Sequence, residues 1–171
     1  VLGCIDEEKL YFIERLSTNS SKMELEYAID IKMVLDIHGI RPETIEGAII
    51  SSVVPQLTKI VKLATEKIIK KEPLIVGPGV KNGMNILIDN PGAMGSDLVA
   101  DAVAAIDEYS VPLVVFDLGT ATTVCVVAEQ KNYIGGMIYP GVNTALNALA
   151  RNASQLNNIS LDEPKQLIGR N

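Results

Sequence analysis

Apolar and polar positions alternate in patches along the chain, and the patches change period several times. The opening stretch, VLGCID and then KLYFIERLS, reads as two strands joined by a polar turn, DEEK. Next, Met23, Tyr27, Ile31, Val34 and Leu35 fall at helical spacing, with Ser20 or Ser21 as an expected N-cap and Gly39 as the stop. GAIISSVVP is an apolar run of strand length that ends at Pro55. PQLTKIVKLATEKIIKK then places Leu57, Ile60, Val61, Ala64 and Ile68 on one helical face. PLIVGPG and NILIDNP are two further short strands, and GSDLVADAVAAIDEY is a strong helix. VPLVVFDLGTA and TTVCVVAEQ predict an antiparallel pair around a tight turn, followed by a third strand, NYIGGMIYPG, and a helix, VNTALNALARNASQL. Hairpins and helical crossovers occur in both halves, so the pattern predicts two α/β units with a junction near Tyr109–Pro112.

Composition narrows the class. With 171 residues and 47% hydrophobic content, the chain is long enough for a substantial core and too apolar for disorder. Its formal charge is −6 and no basic patch stands out, which argues against general nucleic-acid binding. No apolar run reaches the roughly 20 residues that span a bilayer. Cys4 and Cys125 are far apart and form no C-x-x-C pair, so neither a disulfide framework nor a zinc site is expected; a reducing cytoplasm fits. The single histidine, His38, precedes Gly39 and reads as a helix C-terminal residue favoured by the dipole, rather than as a catalytic group. The chain starts at Val1 rather than Met and stops at LIGRN, and it reads as a piece of a longer gene product.

The candidate chemistry sits where apolar strands break into polar turns. Asp117 and Thr120, in VVFDLGTATT, lie at the end of a strand, where α/β sheets tend to bind ligands. Gly119 allows a tight turn and close approach of a phosphate, threonine hydroxyls can donate to phosphate oxygens, and Asp117 can hold a cation. The alternative is a hairpin whose Asp and Thr only satisfy turn amides. Gly141, just before the last helix, marks a helix N-terminus able to receive an anion, or an ordinary turn glycine. Asp97, near the start of NPGAMGSDLVADAVAA, is a helix-terminal acid answering the dipole, or a general base beside a phosphoryl donor.

Taken together, NPGAMGSDLVADAVAA, PLVVFDLGTATT and YIGGMIYPGVNTALNALARNASQL resemble the type III pantothenate kinase family, and RLSTNSSKMELEYA and GAIISSVVP match it upstream. The likeness runs in one order over nearly the whole chain. It implies the fold of the acetate and sugar kinase, heat-shock protein and actin superfamily, with two ribonuclease H-like halves and ATP between them. Residues 1–109 would form the first half without its first strand, and residues 110–171 the start of the second. The resemblance further implies ATP-dependent phosphorylation of pantothenate with a divalent cation, a monovalent cation (potassium or ammonium), a homodimer and a cytoplasmic location.

Carried over residue by residue, Asp97 matches the family's general base in its G-A-D-R motif, and Gly95, Ser96 and Leu98 fall on substrate-binding positions. Asp117 matches the cation ligand of the D-F-G-T-A motif, and Thr120 the Thr near ATP. Several positions depart. Leu98 stands in place of the Arg, Ile88 in place of a pocket Tyr, and Cys125 in place of an Asp. Met23 and Leu25 replace the Thr and Asp of a T-x-D-E-Y stretch. These departures leave a non-catalytic or re-purposed relative as the alternative function. The family's D-x-G-N-T phosphate loop would lie before Val1, and a substrate-contacting Thr after Asn171. A chain without that first strand would leave core strand edges unpaired, so the expectation for these 171 residues alone is no kinase activity.

Overall fold

The computed structural model describes residues 1–77, 79–153 and positions 161, 166 and 168. The chain is mixed α/β and separates into two compact units. Val1–Gly83 and Asp89–Val103 form the first; Met84–Ile88 and the described residues from Ala104 onward form the second.

The first unit opens with the expected hairpin, β1 (Leu2–Ile5) against β2 (Leu10–Glu14), with Cys4 opposite Phe12. Its turn is organised by Asp6. One carboxylate oxygen accepts the N–H groups of Glu8 (2.9 Å) and Lys9 (2.7 Å), and the other accepts the Tyr11 hydroxyl (2.7 Å). The Tyr11 bond, followed by the two backbone bonds, holds the Asp6 carboxyl below its ordinary range, because all three stabilise the charged form.

Helix α1 spans Glu24–Ile37. Its N-cap is Met23 and not Ser20 or Ser21, because the Glu26 carboxylate reaches back to accept the Met23 N–H at 2.8 Å. Ser21 belongs instead to a preceding turn, where its N–H donates to Asn19 Oδ1. Tyr27, Ile31, Val34 and Leu35 are buried as their spacing predicts, whereas Met23, outside the helix, is exposed. At the other end, Gly39 takes φ +68°, and the Ile40 N–H returns to the Leu35 carbonyl at 2.9 Å. That left-handed step suits Gly and turns Ile40 back onto the core. His38 is the C-cap; its ring stacks on Phe12 at 4.3 Å and its Nε2 pairs with Glu14 at 2.9 Å, a role in packing at the helix end.

The apolar run GAIISSVVP yields a shorter strand than its length predicts. Only β3 (Ile49–Ile50) is paired, in parallel with β4 (Leu74–Ile75). Between them α2 (Pro55–Ile69) makes the crossover that parallel strands require, with Pro55 at its first position. Leu57 and Ala64 of α2 join Phe12, Tyr27, Ala28, Ile31, Val34 and Leu35 in one buried cluster, with Ile60, Val61 and Ile68 packed against it.

In the second unit, four strands lie in the order β5 (Asn85–Ile86), β8 (Asn132–Pro140), β7 (Ala121–Ala128), β6 (Leu113–Leu118). β5 is parallel to β8 and the other pairs are antiparallel. Val124, Cys125 and Val127 of β7 are buried, together with Met84 and Tyr133. Cys125 thus lies buried in a Val-rich strand and in no disulfide, as its sequence context suggests. Helix α3 (Ser96–Glu108) begins in the first unit and ends in the second, and α4 covers Val142–Asn152. The predicted continuation of the last helix through Ser154-Gln155-Leu156 lies outside the described residues.

Candidate functional site

Two polar segments carry the chemistry that the sequence singles out, one in each unit. The first surrounds the N-terminus of α3. A 3-10 turn at Pro91–Ala93 leads through Met94 and Gly95 into the helix, whose first backbone bond runs from the Val99 N–H to the Gly95 carbonyl at 3.2 Å. Ser96, the first helical residue, is buried at 7% exposure. Its Oγ accepts a hydrogen bond of 3.0 Å from the Ser51 hydroxyl, contributed by the loop that follows β3. Asp97 is exposed, and its Oδ1 accepts the Leu98 N–H at 2.9 Å. This carboxylate explains Gly95. A Cβ at that position would lie 2.3 Å from Asp97 Oδ1 and 3.8 Å from Val53 Cγ1, so any larger residue would displace the acid. Leu98 is half-buried beside it.

Sequence reasoning passed over the residues beneath this turn. Ser52 Oγ accepts the Thr58 hydroxyl at 3.0 Å and the Val54 N–H at 3.3 Å, so the loop after β3 is braced against the first turn of α2. The signal was present as two adjacent serines inside an otherwise apolar run. The Ser51–Ser96 contact spans 45 positions and has no local signature.

The second segment is the β6–β7 hairpin. Asp117 pairs across the ladder with Thr123, and Leu118 with Thr122, which leaves Gly119, Thr120 and Ala121 between the paired positions. Alternation along β6 puts Asp117 on the same sheet face as Val115, opposite Cys125, while Val114, Phe116 and Leu118 share the other, exposed face. Asp117 and Thr120 are both exposed at this end of the strand. The Thr120 carbonyl accepts the Gly141 N–H at 2.9 Å and the Thr144 hydroxyl at 2.8 Å, fixing the start of α4 on the turn. The Gly141 amide is therefore committed to the hairpin, which gives this glycine a packing role and removes its N–H from any anion site. A Cβ there would fall 2.1 Å from the Gly119 carbonyl oxygen and 2.6 Å from that of Thr120, distances only glycine tolerates.

Electrostatically the two segments are simple. Each presents one solvent-facing carboxylate at the end of a regular element, with hydroxyls nearby. No cluster of three or more His, Cys, Asp or Glu side chains able to hold a metal occurs among the described residues. A cation at Asp117 would therefore complete its shell with water or ligand oxygens, which suits a hard ion. No helix among the described residues is long and apolar enough to cross a membrane.

Comparison with known proteins bears on what these turns serve. The family model for type III pantothenate kinase matches residues 1–171. A type III pantothenate kinase of Halalkalibacterium halodurans is 42% identical over 171 residues, covering 100% of this chain and 67% of the relative. One of Bacillus cytotoxicus is also 42% identical over 171 residues, covering 65% of its own length. The chain thus spans about two thirds of the relatives it matches. With the family's model matched from end to end, this chain belongs to the type III pantothenate kinase family.

Proposed function

We propose that this chain forms part of an enzyme that transfers the terminal phosphoryl group of ATP to pantothenate, giving 4'-phosphopantothenate, the first step of coenzyme A biosynthesis. The observation that carries this reading is the family match over all 171 residues. The geometry at Asp97 is compatible with it: an exposed carboxylate at a helix start, in space that the absent Cβ of Gly95 leaves open.

In this reading Asp97 accepts the proton of the substrate's primary hydroxyl as the oxygen attacks phosphorus. Gly95 and Leu98 line the substrate side, and Ser96, whose side chain is buried against Ser51, takes part through its backbone. Thr120 faces the nucleotide, and Asp117 holds a cation. A divalent ion brought with ATP would neutralise charge developing on the phosphoryl oxygens. Catalysis then rests on positioning and charge neutralisation. The same reading assigns a monovalent cation (potassium or ammonium), a homodimer, a cytoplasmic setting, and two ribonuclease H-like halves at residues 1–109 and 110–171. The parallel β3–α2–β4 unit and the antiparallel β6–β7–β8 meander are the parts of the topology that support those halves.

A second reading, a non-catalytic or re-purposed relative, is favoured by one observation: Leu98, an apolar side chain next to Asp97, where an anionic substrate would call for a cation. The deciding experiment is coupled ATP turnover by the full-length gene product, with and without pantothenate and with and without potassium or ammonium. Turnover is expected to require pantothenate, and Asp97→Asn to lower kcat by about 10²- to 10⁴-fold. A well-folded protein that turns over nothing would establish the second reading instead.

A further inference from the structure

The loop after β3 contains two serines with different tasks. Ser52 is used locally, through Val54 and Thr58. Ser51 reaches away from its own loop, to the buried Ser96 hydroxyl at the first position of α3. Successive residues of an α-helix are turned by about 100°. Fixing Ser96 inward therefore fixes Asp97 outward, and the exposed carboxylate beside Gly95 is in that orientation.

We propose that Ser51 is a positioning residue: through its hydrogen bond to Ser96 it sets the rotation of the first turn of α3, and with it the direction of the Asp97 carboxylate. The inference rests on Asp97 serving as the general base, as proposed above. It goes beyond that reading by assigning a role to a serine that touches no reacting atom. Proton transfer in phosphoryl transfer depends on placement within hydrogen-bond reach, so a small rotation of this turn is costly to rate.

The test uses the full-length gene product in five forms: unaltered, Ser51→Ala, Ser51→Thr, Ser96→Ala and the double variant Ser51→Ala with Ser96→Ala. Two readouts are taken: amide hydrogen exchange at Val99 and Ala100, and steady-state kinetics with pantothenate and ATP. Ser51→Ala is expected to speed exchange at these two amides about fivefold, the effect of one ordinary hydrogen bond, while α1 and α2 keep their protection. It should lower kcat about tenfold and leave the KM for ATP unchanged. Ser51→Thr, which keeps the hydroxyl, should restore both. Adding Ser51→Ala to Ser96→Ala should change nothing further, because the pair acts as one unit. Unchanged exchange at Val99 and Ala100 in Ser51→Ala overturns the inference, and so do additive effects in the double variant. Absence of turnover in the unaltered protein refutes the proposed function itself, and the exchange data then decide the positional role alone.

Discussion

At Leu98 one side chain tests the proposed substrate. It is half-buried in the first turn of α3, adjacent to Asp97, at the position where the resemblance to the family's motif implies an Arg. A hydrogen bond to a charged group contributes roughly 1.5–3 kcal/mol, so an Arg missing here weakens an anionic substrate about ten- to a hundredfold. Pantothenate carries a carboxylate. Leu98→Arg in the full-length protein is therefore expected to lower the KM for pantothenate by about that factor and leave the KM for ATP alone. Initial rates across both substrate ranges check this, and an unchanged pantothenate KM means the carboxylate is held elsewhere. Asp97, Asp117 and Thr120 stand out in the sequence as candidates because acids and hydroxyls at the ends of apolar elements are chemically conspicuous, and the structure places all three exposed. Ser51 was not, because its partner is 45 positions away and only the folded chain brings them together. Gly141 was visible as a glycine before a helix, yet its purpose was not; the close approach of the hairpin carbonyls is a property of packing.

Between elements, the tightest constraint lies where α4 begins on the β6–β7 turn. Gly141 donates to the Thr120 carbonyl, and Thr144 adds a second bond to the same oxygen. A methyl group at position 141 would overlap the Gly119 and Thr120 carbonyl oxygens, and neither is the movable end of a side chain. Gly141→Ala is expected to destabilise the protein by about 2–3 kcal/mol, through overpacking and loss of those bonds. Urea unfolding measures the cost; a midpoint equal to that of the unaltered protein would mean that α4 can shift away from the turn. The same hairpin shows why element boundaries were legible in some places only. β6 and β7 form a ladder six pairs long, and their alternation survives in the sequence. β3 and β4 have apolar runs of similar appearance but share only two ladder pairs, since pairing depends on a neighbour that local composition does not encode. The start of α1 was misplaced for a related reason. Serines are good caps in isolation, but here a Glu three residues into the helix satisfies the capping amide.

For the molecule as a whole, the distribution of buried residues predicts how it comes apart. The buried cluster that runs from Phe12 to Ala64 lies within the first unit. The second unit has buried residues of its own on β7 and β8, among them Val124, Cys125, Val127 and Tyr133. Compact units with buried residues of their own can open with separate free energies. Leu57, 5% exposed, packs in the first cluster, and Leu57→Ala should cost about 2–5 kcal/mol, the lost transfer energy plus a cavity. The cost should fall on one unit. Amide exchange in α1 and α2 is expected to accelerate by that amount, while the amides of Val124, Cys125 and Val127 keep their protection. Residue-resolved exchange on the unaltered and variant proteins reads both at once. Equal acceleration on β7 would show a single cooperative body in which the first core supports the second. Selective acceleration would mean that the turn carrying Asp117 and Thr120 keeps its geometry when the core nearest β3 and α2 is weakened, so that losses of activity from core substitutions in the first unit would act through the Ser51–Ser96–Asp97 side alone.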